Sequence, residues 1–177
     1  MIISIDPSTK LTGVTLFTSA GRWIPNSAEV IRPDRPSALA IERVHQMAVY
    51  LREYIAEAVV THKTGIRIAI IEKPYIDQNA PHSAVGAQFY AMGAFYHVLR
   101  SLNVSRIEEI YPAKWTRGKS KEYRALWIRR EYKIPAHQDS GNDAVDAIGL
   151  GKWWCEHNPD RLRTKDTNAI EALQTLA

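Results

Sequence analysis

Arg67 to Ile71 is an unbroken, mostly β-branched run that ends at Glu72-Lys73-Pro74. It lacks the apolar–polar alternation of a strand with one wet face, so it predicts a strand buried on both sides. The opening stretch, MIISIDPSTKLTGVTLF, makes a related demand. Met1 to Asp6 reads as a strand, Pro7-Ser8-Thr9 as a turn, and Leu11 to Thr18 as a second strand that returns at once. Both buried runs stop on a carboxylate, which is costly to keep charged at a strand end unless something binds it.

The remaining elements follow from periodicity and breakers. Arg22 to Ile31 predicts a third strand, bent at Pro25. Ser37 is placed to cap a long helix in which Val44, Met47, Leu51, Ile55 and Val59 recur at helical spacing. A second helix is expected from about Ser83 to Leu102, with Val85, Phe89, Met92, Tyr96 and Leu99 on one stripe. Its small face, Gly86, Ala87, Gly93 and Ala94, suits either packing on the sheet or contact with a second copy. Val104 to Tyr111 predicts a fifth strand closed by Pro112, then a loop and a helix from about Lys119 to Tyr132. A last core helix is expected from about Asp139 to His157. The order β-β-β-α-β-α-β-α-α gives an α/β fold: a five-stranded mixed sheet, three antiparallel strands then two parallel, with helices on both faces. One domain is expected over residues 1–157, followed by a polar tail over 158–177 with a short amphipathic helix.

Charge is unevenly spread. Between Lys114 and Lys133 eight basic residues face only Glu122 and Glu131, so this segment is +6 in a chain of +4. A local basic stretch on a near-neutral body is the footprint of a protein that meets a polyanion through one surface. No apolar run approaches the roughly 20 residues that span a bilayer, and Asp6 interrupts the opening run too early for a signal peptide. With Cys155 as the single cysteine, a soluble protein of the reducing cytoplasm is expected.

Four carboxylates fall where an α/β sheet places its sites. Asp6 ends the first strand and Glu72 the fourth, while Asp143 and Asp146 stand three apart near the start of a helix and share a face. Three of them have ordinary readings: Glu72 as a helix cap or paired with Lys73, and Asp143 and Asp146 as first-turn acids favoured by the helix dipole. Together they would repel strongly without cations or raised pKa values. Oxygen-only ligation favours Mg²⁺ or Mn²⁺ over zinc, and two such ions about 3.5–4 Å apart would activate water and stabilise the leaving oxygen of a phosphodiester.

These same residues carry a resemblance. Ile2-Ile3-Ser4-Ile5-Asp6-Pro7-Ser8 with Thr12-Gly13 resembles the opening strand-turn-strand of RuvC-type Holliday junction resolvases. Ile70-Ile71-Glu72-Lys73-Pro74-Tyr75 resembles their second acidic segment, and Asn142-Asp143-Ala144-Val145-Asp146-Ala147-Ile148-Gly149 their acidic helix. The similarity runs over about Met1 to Trp154, and the element order agrees with their RNase H-like fold. Ser8 stands where these enzymes carry glycine, and the Lys114–Lys121 loop is shorter than theirs, which marks a divergent member of the sort phages encode.

The resemblance implies a homodimeric, Mg²⁺-dependent endonuclease that nicks opposed strands of a four-way DNA junction, in recombination, repair or phage DNA processing. Asp6, Glu72, Asp143 and Asp146 would hold two metal ions, with Mn²⁺ able to substitute. Tyr75 falls where the family places an aromatic wedge. Lys114, Lys119 and Lys121 match its phosphate-contacting lysines, with Lys121 nearest the scissile phosphate; Arg117 and Arg124 stand with them as DNA contacts. Trp115 and Trp127 read first as core or interface aromatics. Three alternatives stay open: an RNase H-fold nuclease acting on RNA–DNA hybrid or structured RNA, an ATPase of the actin and sugar-kinase type, and a non-catalytic DNA-binding module.

Overall fold

The computed structural model describes residues 1–74, 82–134 and 142–163. Five strands form one sheet: β1 (Ile2–Asp6), β2 (Thr12–Phe17), β3 (Glu29–Ile31), β4 (Ile68–Glu72) and β5 (Arg106–Ile110), in the spatial order β3-β2-β1-β4-β5. The β3-β2-β1 half is antiparallel, and β4 and β5 run parallel to β1. This is the mixed, RNase H-like sheet the sequence predicts.

Residue parity sorts the core. Ile3, Ile5, Leu16, Ala69 and Ile71 face α1 (Ala40–His62) and α2 (His82–Ser101). Ile2, Phe17, Ile68 and Ile70 face the other way, onto Leu150, Trp154 and Cys155 of α5 (Asn142–His157). The central strands therefore lack a wet face, which is why β4 shows no alternation. Residues 144–151 of α5 are all buried, as befits a helix covered on several sides: the sheet lies on one and α4 (Lys121–Tyr132) on another.

Several expected elements come out differently. The third strand shrinks to Glu29–Ile31, with a lone bridge from Trp23 to Phe17 ahead of it. Ser27 interrupts the ladder: its hydroxyl meets Thr15 Oγ1 at 3.0 Å and accepts from the Leu16 N–H at 3.0 Å. Ser37 does not cap α1, which begins at Ala40 without a side-chain cap. Instead the Arg43 guanidinium ties down the carbonyls of Thr9, Pro36 and Ala38 around that entrance. On α2 the buried stripe is Ala91, Met92, Phe95, Val98 and Leu99, whereas Phe89 is exposed. Gly86 and Gly93 open to solvent, where an added Cβ would meet nothing within 4 Å. Pro112 opens a short helix, α3 (Pro112–Thr116), because a missing N–H costs nothing at a first helical position. The described part of α5 runs from Asn142 to His157, and residues 139–141, where its start is expected, lie outside the described residues. After it comes α6 (Pro159–Arg163), held to the sheet edge by Arg161 on Glu108 at 2.6 Å and by Arg67 on the carbonyls of Arg161 and Leu162.

Candidate active site

Strand β1 delivers Asp6, and its parallel neighbour β4 delivers Glu72, to the same carboxyl-end edge. The start of α5 lays Asp143 and, three residues on, Asp146 over that edge. Gly13 makes this approach possible: it pairs with Asp6 across β1–β2, and a Cβ there would sit 1.9 Å from the Asp143 carbonyl oxygen. Gly151 serves the far end, where a Cβ would meet the Phe17 ring at 2.2 Å. Two absent methyl groups thus set the height of α5 above the sheet.

The carboxylates of Asp6, Glu72 and Asp146 respond to their surroundings. Burial raises the Asp6 carboxyl well above the ordinary range, and the charges of Glu72 and Asp146 push it further. Burial also lifts Glu72, to about 7, against the pull of a hydrogen bond from Trp115. Asp146 is raised by burial despite Arg124 and Lys121. Among the described residues no donor is hydrogen-bonded to the Asp6 carboxylate.

Basic side chains from α4 supply the present counter-charge. The helix is capped by Ser120, whose Oγ accepts from the Tyr123 N–H at 3.3 Å. At its first residue, Lys121 Nζ lies 2.8 Å from Asp143 Oδ1 and 3.3 Å from Asp146 Oδ2. Burial alone would lower the Lys121 pKa, but Asp143, Asp146 and Asp6 outweigh it and hold it above the usual lysine value. Arg124 Nη2 reaches Asp146 Oδ1 at 3.4 Å, and its Nη1 donates to the Lys119 carbonyl at 2.7 Å.

Trp115 completes the arrangement. Its Nε1–H donates to Glu72 Oε2 at 2.5 Å, and the Arg124 guanidinium lies over its ring, 4.9 Å from the centroid. Two of the acids are therefore oriented by a linked pair, Glu72 by Trp115 and Asp146 by Arg124. Arg124 is a partner of the acidic edge here, not a side chain held out to solvent. Its spacing from Lys121, three residues on a helix, was the available signal. Nothing local links Trp115 to Glu72, which stands 43 residues earlier. Lys114, Arg117 and Lys119 are exposed, and Tyr75 lies outside the described residues.

An oxygen-only donor set in which burial and neighbouring carboxylates raise the pKa values of Asp6, Glu72 and Asp146 fits a hard divalent cation in chemistry. Among the described residues no three His, Cys, Asp or Glu side chains are gathered tightly enough to hold one as they stand. The Lys121 ammonium occupies the space between Asp143 and Asp146 instead.

The sheet order and the acidic edge define the class, an α/β protein of RNase H-like fold. No protein-family model and no curated protein matches the chain. Solved structures do, and they bear out the resemblance to RuvC-type resolvases in the fold. Thermus thermophilus RuvC in complex with a Holliday junction substrate is 12% identical, with 89% of this chain and 96% of that one covered at a TM-score of 0.64. Another structure of T. thermophilus RuvC, 16% identical over the same shares, gives 0.56. The yeast mitochondrial Holliday junction resolvase Ydc2, 10% identical, covers 96% of this chain and 83% of its own at 0.55. Among the described residues no helix is long and apolar enough to cross a membrane.

Proposed function

We propose that this chain is a metal-dependent, structure-selective endodeoxyribonuclease that resolves four-way DNA junctions by paired nicks. The observation that carries the reading is the convergence of Asp6, Glu72, Asp143 and Asp146 on one sheet edge beside the basic segment. Asp6, Glu72, Asp143 and Asp146 would hold two Mg²⁺ or Mn²⁺ ions. When bound, such ions supply an activated water and stabilise the departing oxygen of the phosphodiester.

The chain's own side chains do the rest. Lys121 leaves the aspartates for the scissile phosphate, exchanging one anionic partner for another. Trp115 fixes the Glu72 carboxylate, and Arg124 keeps Asp146 turned inward. Lys114, Arg117 and Lys119 grip phosphates beside the cut, so affinity falls steeply with salt. Two opposed nicks need two sites related by a two-fold axis, which a homodimer provides. The outer face of α2, where Phe89 and Tyr90 are 46% and 42% exposed beside Gly86 and Gly93, suits that isologous contact. Competition between a four-way DNA junction and an RNA–DNA hybrid of matched sequence, in Mg²⁺, tests the reading. The junction is expected to be cut in preference; preference for the hybrid overturns it.

A further inference from the structure

Beyond the acidic edge, α4 and α5 enclose a groove of about 220 Å³. Its floor is the Trp115 ring, Ile128 and Gly149. A Cβ at 149 would stand 2.5 Å from Ile128 Cδ1 and 2.9 Å from Trp115 Cζ3, so glycine keeps that floor closely packed. Tyr123 and Trp127 form one wall and are 53% and 45% exposed, a large aromatic surface to leave in water. Opposite them Trp153 stacks on His157, with centroids 4.6 Å apart and planes at 22°.

The charge around these rings is positive. Lys119 Nζ lies over Tyr123 at 4.8 Å, and Lys152 Nζ over Trp127 at 5.5 Å. Arg117 stands exposed at the mouth. Lys152 is held by two carboxylates, Glu131 at 3.0 Å and Glu156 in the lining at 3.2 Å, so the cations that face the groove mouth are Arg117 and Lys119. Exposed aromatic faces interleaved with cations form a stacking platform for bases with an attractive path for their phosphates. The volume is below the roughly 300–1,000 Å³ of pockets for drug-sized ligands, which limits the guest to a single flat ring system.

We propose that this groove holds an unpaired nucleotide of a DNA strand, its base against Trp127 and Tyr123 and its phosphates on Arg117 and Lys119. The groove is continuous with the acidic edge. Trp115 floors it and donates to Glu72, while Arg124 lies on that ring and reaches Asp146. A strand drawn across the carboxylates reaches the groove by passing one tryptophan. The binding itself needs neither metal nor cleavage.

Fluorescence anisotropy of the full chain in EDTA tests it, with a short oligothymidine and an abasic oligonucleotide of the same length. Oligothymidine should bind about ten-fold or more tighter, as base–aromatic stacking predicts. Trp127→Ala and Tyr123→Ala should each remove most of that difference, with a far smaller change in abasic binding; Trp127→Phe should retain it. Equal affinity of the wild type for the two oligonucleotides, or undiminished preference in a folded Trp127→Ala variant, overturns the groove. Failure of junction cleavage alone would sink the nuclease reading and leave this one standing.

Discussion

Gly13 and Asp143 are in backbone contact: the glycine Cα lies so close to the first turn of α5 that a Cβ would stand 1.9 Å from the aspartate's carbonyl oxygen. That contact places the acidic helix over the end of β1. Relief requires α5 to lift, because a backbone oxygen cannot rotate away. Gly13→Ala should therefore cost at least the ~3 kcal/mol at the upper end of ordinary overpacking, read by urea unfolding, and should abolish nicking. Wild-type stability in this variant would show that the helix does not sit where described.

Trp115→Phe keeps a ring in the groove floor and removes the Nε1–H donor to Glu72. That donor holds the carboxyl down, so its loss lets the Glu72 pKa climb above about 7. The ascending limb of the nicking pH profile should move to higher pH, with a loss near neutrality of roughly 10-fold or more, the scale of a hydrogen bond to a charged group. An unshifted profile with lower rates throughout would reduce Trp115 to a packing role.

Apo-protein stability should depend on pH in the direction the carboxylates dictate. Glu72 is lifted to about 7, and Asp6 and Asp146 also stand above their ordinary values. Groups whose folded-state pKa is raised hold more protons native than unfolded, so stability falls as pH rises from about 4.5 to about 7. Melting in EDTA should show this decline, Asp6→Asn should flatten it, and Mg²⁺ near pH 7.5 should restore much of the loss. A rising Tm over that window would contradict the clustering.

Lys121 lies within ion-pair distance of Asp143 and Asp146, where a cation would compete with it. Lys121→Gln should lower the Tm of the apo protein and enlarge the stabilisation gained from Mn²⁺, since binding to the native state adds stability in proportion to affinity. Nicking should fall by about 100-fold or more, as expected when charge stabilisation of the reacting phosphate is removed. An unchanged Mn²⁺ effect would show that the ammonium does not guard the site.

What was legible in the sequence had a local signature. The unalternating Ile68–Glu72 strand, the opening strand-turn-strand and the Asp143/Asp146 spacing each state their fold in a few residues, and the sheet followed from them. Helix α2 misled because apolar residues surround much of it, so periodicity did not separate the buried Phe95 from the exposed Phe89. Pro112 read as a stop because a proline closes a strand and opens a helix equally well. The role of Trp115 was not legible, since it meets Glu72, 43 residues earlier, only once β4 and α3 are side by side.

The most direct test maps every strand of a synthetic four-way junction after incubation with wild type or Asp6→Asn in Mg²⁺, alongside a binding measurement on each. The account predicts paired nicks on two opposed strands with the wild type, and full binding without cleavage for Asp6→Asn. Equal cleavage by the two proteins would contradict the claim that Asp6 anchors the site.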